Sequence, residues 1–408
     1  MLCNSLAAGV IAFGLPTFAS ASLIFASSYN LDAADGFVST IKYTDGKLEV
    51  INNQQGICGA NPSWLEFVGD HIYCLDEIWN KKPNSDSVGA LYALKATRDG
   101  TKLTESKRLE ALGGPVSTVR FGQRLKGLAV AAYGGGGFQT FDISNPDAPQ
   151  VVNSSSFTIT PKPGAIAQQG VSHVHHVILD PTGDFIAAPD LGGDLIRIFK
   201  VDKKTLEYVE STTIPTPDFS GPRHGAFVKL ESGTYFYVVT ELSNEIIGWK
   251  VNYKADSLEF DQIFIAPTHG PDTKVNNTIV KAAELIISPD NKFLLVSSRL
   301  EESAGQIDIP NPETNAGQIK SDPLINWAIQ ADGTIKLQQI FPAGGINPRH
   351  FSLNKDGSLV LTALVTDGRV ALIERNVQTG NLTKIVGAVK IIGGQPNFAK
   401  FKEDTKCA

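Results

Sequence analysis

The chain has 408 residues, 42% of them hydrophobic and 19% charged, with a formal net charge of −6. That length buries a large core, in one big domain or two ordinary ones. No basic tract interrupts the acidic balance, which argues against nucleic acid as a partner. Past the leader no apolar run reaches about 18 residues, which argues against a membrane span.

The leader, MLCNSLAAGVIAFGLPTFASASLIF, carries an apolar run from Leu6 to Phe18 closing on Ala19-Ser20-Ala21. This is the pattern of a secretory signal peptide over residues 1–21, although a leading Lys or Arg is lacking and a buried first strand is the competing reading. Export agrees with Asn153-Ser-Ser, Asn276-Asn-Thr and Asn381-Leu-Thr, three glycosylation acceptor triplets. It agrees with cysteine usage too. Once Cys3 leaves with the signal, Cys58 and Cys74 flank one strand and its return, and are expected to pair in an oxidising compartment. Cys407 is expected to stay unpaired, and the polar tail EDTKCA is no lipid-anchor signal. The expectation is a secreted glycoprotein, with cell-wall or surface association as its extension.

From residue 22 onward, helical periodicity gives way to short runs rich in Val, Ile, Phe and Tyr, separated by turns such as Pro-Thr-Gly-Asp and Lys-Asp-Gly. In chain order, clear copies of one unit are NPSWLEFVGDHIYCLDE, SHVHHVILDPTGDFIAAPD, GPRHGAFVKLESGTYFYVVTE, KAAELIISPDNKFLLVSSR and NPRHFSLNKDGSLVLTALV, with GPVSTVRFGQRLKGLAVAAY a degenerate one. Lead-ins start near Asn61, Pro115, His173, Gly221, Lys281 and Asn347, with a seventh near Gln395 that has only its first strand. The strands missing there stand at the other end, in SLIFASSYNLDAADGFVSTIKYTDGKLEVI. Seven units of roughly 50 residues predict an all-β, seven-bladed propeller over residues 22–408, its last blade closed by the N-terminal strands.

Equivalent positions in propeller blades lie on a ring around the axis. At the ends of the second strands this ring reads Tyr29, Glu77, Tyr133, Glu241, Arg299 and Val365, with Asp190 one position short. The lead-ins end near the same mouth and bring His173, His175, Arg223 and Arg349. On an extended strand His173 and His175 share a face and His176 points away. Zinc would need a third ligand that no other Cys or His is placed to give, and calcium would need oxygens where the ring holds arginines, so no metal is expected. Polar strand ends satisfied by backbone are the bland alternative. The favoured reading is a cationic site with acid/base groups for a small anionic substrate.

Over nearly the whole mature chain, and most strongly from Val171 to Glu374, the units resemble the seven-bladed lactonase family, which includes propeller-type 6-phosphogluconolactonase and the fungal 3-carboxy-cis,cis-muconate lactonizing enzyme. The resemblance implies a catalytic set of His175 in His-x-His, Arg223 in Gly-Pro-Arg-His, Glu241 in Thr-Glu-Leu and Arg299 in Ser-Ser-Arg. His173 and Arg349 are further substrate-binding candidates. It implies a cofactor-independent cycloisomerase of the carboxymuconate cyclase type, in which Arg223 and Arg299 hold carboxylates and Glu241 or His175 delivers a proton. Lactone hydrolysis with the same residues is the runner-up, and an idle propeller used as a binding surface is the third reading. Should the arginines depress Glu241, His175 is expected to be the acid. Replacing Arg223 or Arg299 by Ala is expected to remove anion binding and leave the fold intact.

Overall fold

The structure, a computed structural model, describes residues 22–32, 35–44, 46–78, 88–301 and 305–403. The expected signal peptide and Cys407 lie outside the described residues. The chain is an all-β, seven-bladed propeller, each blade a four-stranded antiparallel sheet. Blade 1 runs Pro62–Val68, His71–Asp76, Val88–Ala96 and Leu103–Leu112; blade 2 begins at Pro115–Phe121. Blade 4 comprises Pro222–Leu230, Gly233–Thr240, Glu245–Tyr253 and Leu258–Pro267. Blade 5 runs Lys281–Ile287, Phe293–Arg299, Pro323–Ile329 and Ile335–Pro342, with the hairpin Ile307–Pro310 and Gln318–Ser321 inserted. Blade 6 begins at Pro348–Leu353. In blade 7 the C-terminal strand Gly394–Lys402 pairs with Ser22–Asn30, which pairs in turn with Phe37–Thr44. The ring thus closes as the half-repeats predict, and no blade edge faces the gap.

Each blade packs both faces against its neighbours, which is why second strands read as apolar runs and not as alternation. His71–Asp76 and Phe185–Asp190 are buried at every position. Between blades 3 and 4, Phe185, Ile196 and Ile198 meet Phe236, Val238 and Trp249. Between blades 7 and 1, Phe25, Val38 and Phe398 meet Leu65, Ile72 and Cys74. The turn aspartates of the repeat satisfy the hairpins: Asp180 accepts from Thr182, Asp184 and Phe185 amides, an Asx-turn. Cys58 and Cys74 form the expected disulfide, both ends buried beside blade 1.

The stretch from His173 to His176 departs from the expected strand. Blade 3 keeps only Ile178–Leu179 of its first strand, plus a bridge from Val174 to Asp190. Neighbouring side chains take over its backbone bonding: the Val177 amide donates to Ser117 Oγ at 3.1 Å. Asp190 does not reach the ring either. It is fully buried and accepts from Ser172, the His173 and Gly193 amides, and Arg197.

Candidate active site

The innermost strands share one irregularity that builds the mouth of the channel. Their registers slip by one residue between Pro62 and Trp64, Pro115 and Ser117, Pro222 and His224, Ala282 and Leu285, and Pro348 and His350. The closing strand slips at Pro396–Phe398. A bulge leaves its extra residue without a ladder partner and turns that side chain aside. Proline just before it costs no ladder bond, because the first residue of a strand need not donate. The extra residues are Ser63, Val116, Arg223, Ala283 or Glu284, Arg349 and Asn397. Apart from Ala283 they line, with His175, a narrow axial cavity of about 20 Å³, room for roughly one water.

Arg223 and Arg299 converge on one carboxylate. Arg223 Nε lies 2.7 Å and Arg299 Nη2 2.9 Å from Glu241 Oε2. Arg223 also donates from Nη1 to the Ala283 carbonyl at 2.6 Å, tying blade 4 to blade 5. Arg299 donates to the carbonyls of Lys281 and Ala282. Gly221 sets up this corner at φ +61°, its carbonyl accepting from the Glu241 amide, and a Cβ there would sit 2.6 Å from Leu242. Across the mouth, Tyr29 donates to Glu77 Oε1 at 2.5 Å. Arg349 faces Tyr29, Glu77, Glu241 and Tyr133. Among the described residues its guanidinium has no hydrogen bond or ion pair of its own.

His173 and His175 both sit at this mouth and do different things. The His173 ring stacks on Tyr133 at 4.0 Å and donates from Nδ1 to the Tyr133 carbonyl at 2.7 Å, so it holds the phenol in place. His175, 5% exposed, meets Tyr133 edge-on and lies 3.2 Å through Nδ1 from His224 Nε2. His176 does not point away from the axis as an alternating strand would have it. It stacks on His224 at 4.2 Å and 3°.

Electrostatics divide the two carboxylates. Burial would raise the Glu241 pKa, but Arg299, Arg223 and Arg349 together outweigh it and hold the group below the ordinary value. Glu77 goes the other way: burial lifts it, and Arg349 and the Tyr29 hydroxyl only partly compensate. Burial, with repulsion from Arg299, pulls Arg223 down to about 9. Burial raises Tyr133 to about 12. His175 is driven well below its ordinary value by burial, then by Arg223 and by its neighbours His224 and Arg349. The arginines do win at Glu241, and burial with two of them, Arg223 and Arg349, keeps His175 a neutral imidazole, not the ready acid its ordinary value suggested.

Four further polar side chains escaped the sequence reading. His224, Glu284 and His350 line the cavity behind the mouth, and half-buried Lys281 stands beside Glu241 and Arg299. The signal was there, in the Arg-His pairs 223–224 and 349–350 that follow proline. Among the described residues no group of acids, histidines and cysteines is arranged to hold a metal ion, and no helix is long and apolar enough to cross a membrane.

Comparison with known proteins gives a consistent result. The family described as "Lactonase, 7-bladed beta-propeller" matches residues 24–401. A protein of Arthroderma benhamiae named "Probable 6-phosphogluconolactonase" is 29% identical over 79% of this chain and 76% of its own length. A 6-phosphogluconolactonase of Formosa agariphila is 26% identical over 87% of this chain and 92% of its own. Among solved structures, the periplasmic gluconolactonase of Pseudomonas aeruginosa superposes with a TM-score of 0.75 at 20% identity, covering 94% of this chain and 99% of that one. At that identity the likeness speaks for the fold.

Proposed function

Because the chain belongs to the seven-bladed β-propeller lactonase family, we propose that it is a lactone hydrolase acting on small lactones that carry an anionic group. One observation carries the reading: a neutral, buried His175 stands beside Arg223 and Arg349 in one cavity, and Arg223 is joined through Glu241 to Arg299. Hydrolysis needs a base for water and donors for the oxygen on which charge develops. His175 supplies the first. The N–H groups of Arg223 and Arg299 not spent on Glu241 and backbone supply the second. Glu241, held ionised, keeps the two guanidinium groups side by side. Arg349, unpaired, takes the phosphate or carboxylate of the substrate, while Glu77, Tyr29 and Tyr133 offer partners for its hydroxyls.

Cycloisomerisation of a carboxymuconate, the first expectation from sequence, fits less well. That reaction delivers a proton to carbon, and the two donors assigned to it, His175 and Glu241, are both unprotonated at neutral pH. The names of the relatives point the same way. The deciding assay offers the purified protein 6-phosphoglucono-δ-lactone, glucono-δ-lactone and 3-carboxy-cis,cis-muconate. Preference for the phosphorylated lactone supports the reading. Turnover of the muconate alone overturns it.

Export is proposed on separate grounds. A buried disulfide at Cys58–Cys74 persists where the surroundings are oxidising, in keeping with a cleaved leader at residues 1–21. Glycans at Asn153, Asn276 and Asn381, and retention at the cell wall, would follow. Recovery from the medium or wall fraction with glycan-bearing Asn peptides supports this. A full-length, unglycosylated cytosolic protein contradicts it.

A further inference from the structure

Behind the mouth a line of hydrogen bonds runs inward from His175, and backbone amides fix its polarity. The Leu285 amide donates to Glu284 Oε1 at 3.0 Å. His224 Nδ1 lies 2.8 Å from the same oxygen. A carboxylate only accepts, so His224 carries its proton on Nδ1. Kept neutral in its buried position, His224 then has a lone pair on Nε2. That atom faces His175 Nδ1 at 3.2 Å, so His175 donates from Nδ1 and its lone pair resides on Nε2. One contact holds the His224 plane: His176 stacks on it, itself fixed by the Gly225 amide at 3.3 Å. The second carboxylate oxygen, Glu284 Oε2, makes no hydrogen bond and has only His350 Nε2 near it, at 3.6 Å. Glu284 and His224 are 2% and 3% exposed, and they reach His175 from the side of its Nδ1.

We propose that Glu284 and His224 are positioning residues, a buried carboxylate–imidazole pair that sets the tautomer of His175 and makes its Nε2 the base. What His175 does in this account rests on the hydrolase reading; how it is held rests on the hydrogen bonds alone. As the water oxygen bonds to the lactone carbonyl carbon, His175 Nε2 takes its proton and the ring becomes an imidazolium. Nδ1–H keeps its bond to His224, and the Glu284 charge stabilises the cation through His224 without taking the proton. The ring C–O bond then breaks, Nε2 returns the proton to the departing oxygen, and the new carboxylic acid loses its own proton to solvent.

Glu284→Gln tests the pair, since its amide oxygen can still accept from Leu285 and His224 while the charge is gone. The expected result is a kcat lower by about 10- to 100-fold with KM within about twofold, because the arginines that bind substrate are untouched. The acid limb of the rate profile should move to lower pH, the imidazolium having lost its stabilising anion. A glutamate that merely fills space would leave that limb in place. A second readout needs no turnover. Nitrogen-15 NMR of the wild-type imidazoles, with the His175 signals assigned by their loss in His175→Gln, should show the proton on Nδ1. A wild-type His175 protonated on Nε2 overturns the proposal, as does a Glu284→Gln protein with wild-type kcat and acid limb. If the wild type hydrolyses no lactone, the hydrolase reading fails and the NMR tautomer alone decides the pair.

Discussion

Arg349→Ala removes a guanidinium of the mouth that, among the described residues, makes no hydrogen bond or ion pair of its own. Arg223 and Arg299 share Glu241 and three backbone carbonyls, so much of their charge is met within the protein. A charge-assisted contact from Arg349 to a substrate phosphate contributes about 1.5–3 kcal/mol. At about 1.4 kcal/mol per decade that is a rise in KM of roughly 10- to 150-fold. The loss should be confined to anionic lactones, with kcat little changed and KM for neutral glucono-δ-lactone within about threefold. Stability should fall slightly: no hydrogen bond is stranded, but buried Glu77 loses the cation that partly offsets its burial. Arg223→Ala behaves differently: it frees the Ala283 carbonyl and half of the Glu241 pairing inside a buried corner, at the low end of the about 3–5 kcal/mol of a broken buried pair. Initial rates on the two lactones, with thermal melts of both variants, decide the matter. Equal KM changes for charged and neutral lactones in Arg349→Ala would refute the assignment.

Three other outcomes follow from the same geometry. Replacing Cys58 and Cys74 by Ser opens a loop with sequence separation 16 and should cost about 3 kcal/mol, read as a fall in urea midpoint; an unchanged midpoint contradicts it. His175, His176, His224 and His350 are all held neutral, foremost by burial. The unfolded chain takes protons on them from about pH 6.5, so it binds more protons than the folded one and stability falls as pH falls. Each histidine contributes up to about 1.4 kcal/mol per pH unit, offset in part at lower pH by Asp76, Glu77 and Asp322, whose raised values act in the opposite sense. Urea midpoints flat between pH 7.5 and 5.5 would count against buried neutral histidines. Finally, kcat/KM should have its acid limb below pH 6.5, because the base is depressed; a limb above pH 7 would point to another group.

The blades were legible because their signals are local: a turn aspartate after the first strands of four blades, an apolar second strand, and a half-repeat at either end. The mouth was legible where strand ends carry charge, as at Arg223, Glu241 and Arg299. What could not be read was the bulge, a property of two strands in register. It sends Asn397 toward the axis and makes His224 and His350, which follow the expected Arg223 and Arg349, line the channel where they would otherwise pass as core. The His173–His176 segment misled for a related reason. Its alternation looks like a strand, but Ser117 of the preceding blade and Gly225 of the following one engage its Val177 amide and His176 ring. Protonation was further out of reach, since the neutrality of His175 depends on burial and on arginines from other blades.

The central claim is that water, activated by His175, attacks the carbonyl carbon of a lactone. It is tested most directly by a single turnover of 6-phosphoglucono-δ-lactone in oxygen-18 water with enzyme in excess, followed by mass spectrometry of the product. The account predicts one heavy oxygen in the new carboxylate and none in the hydroxyl released from the ring, formed faster than in enzyme-free buffer and only at the background rate with His175→Gln. Label in the hydroxyl, or an unlabelled unsaturated acid formed by elimination, would contradict it.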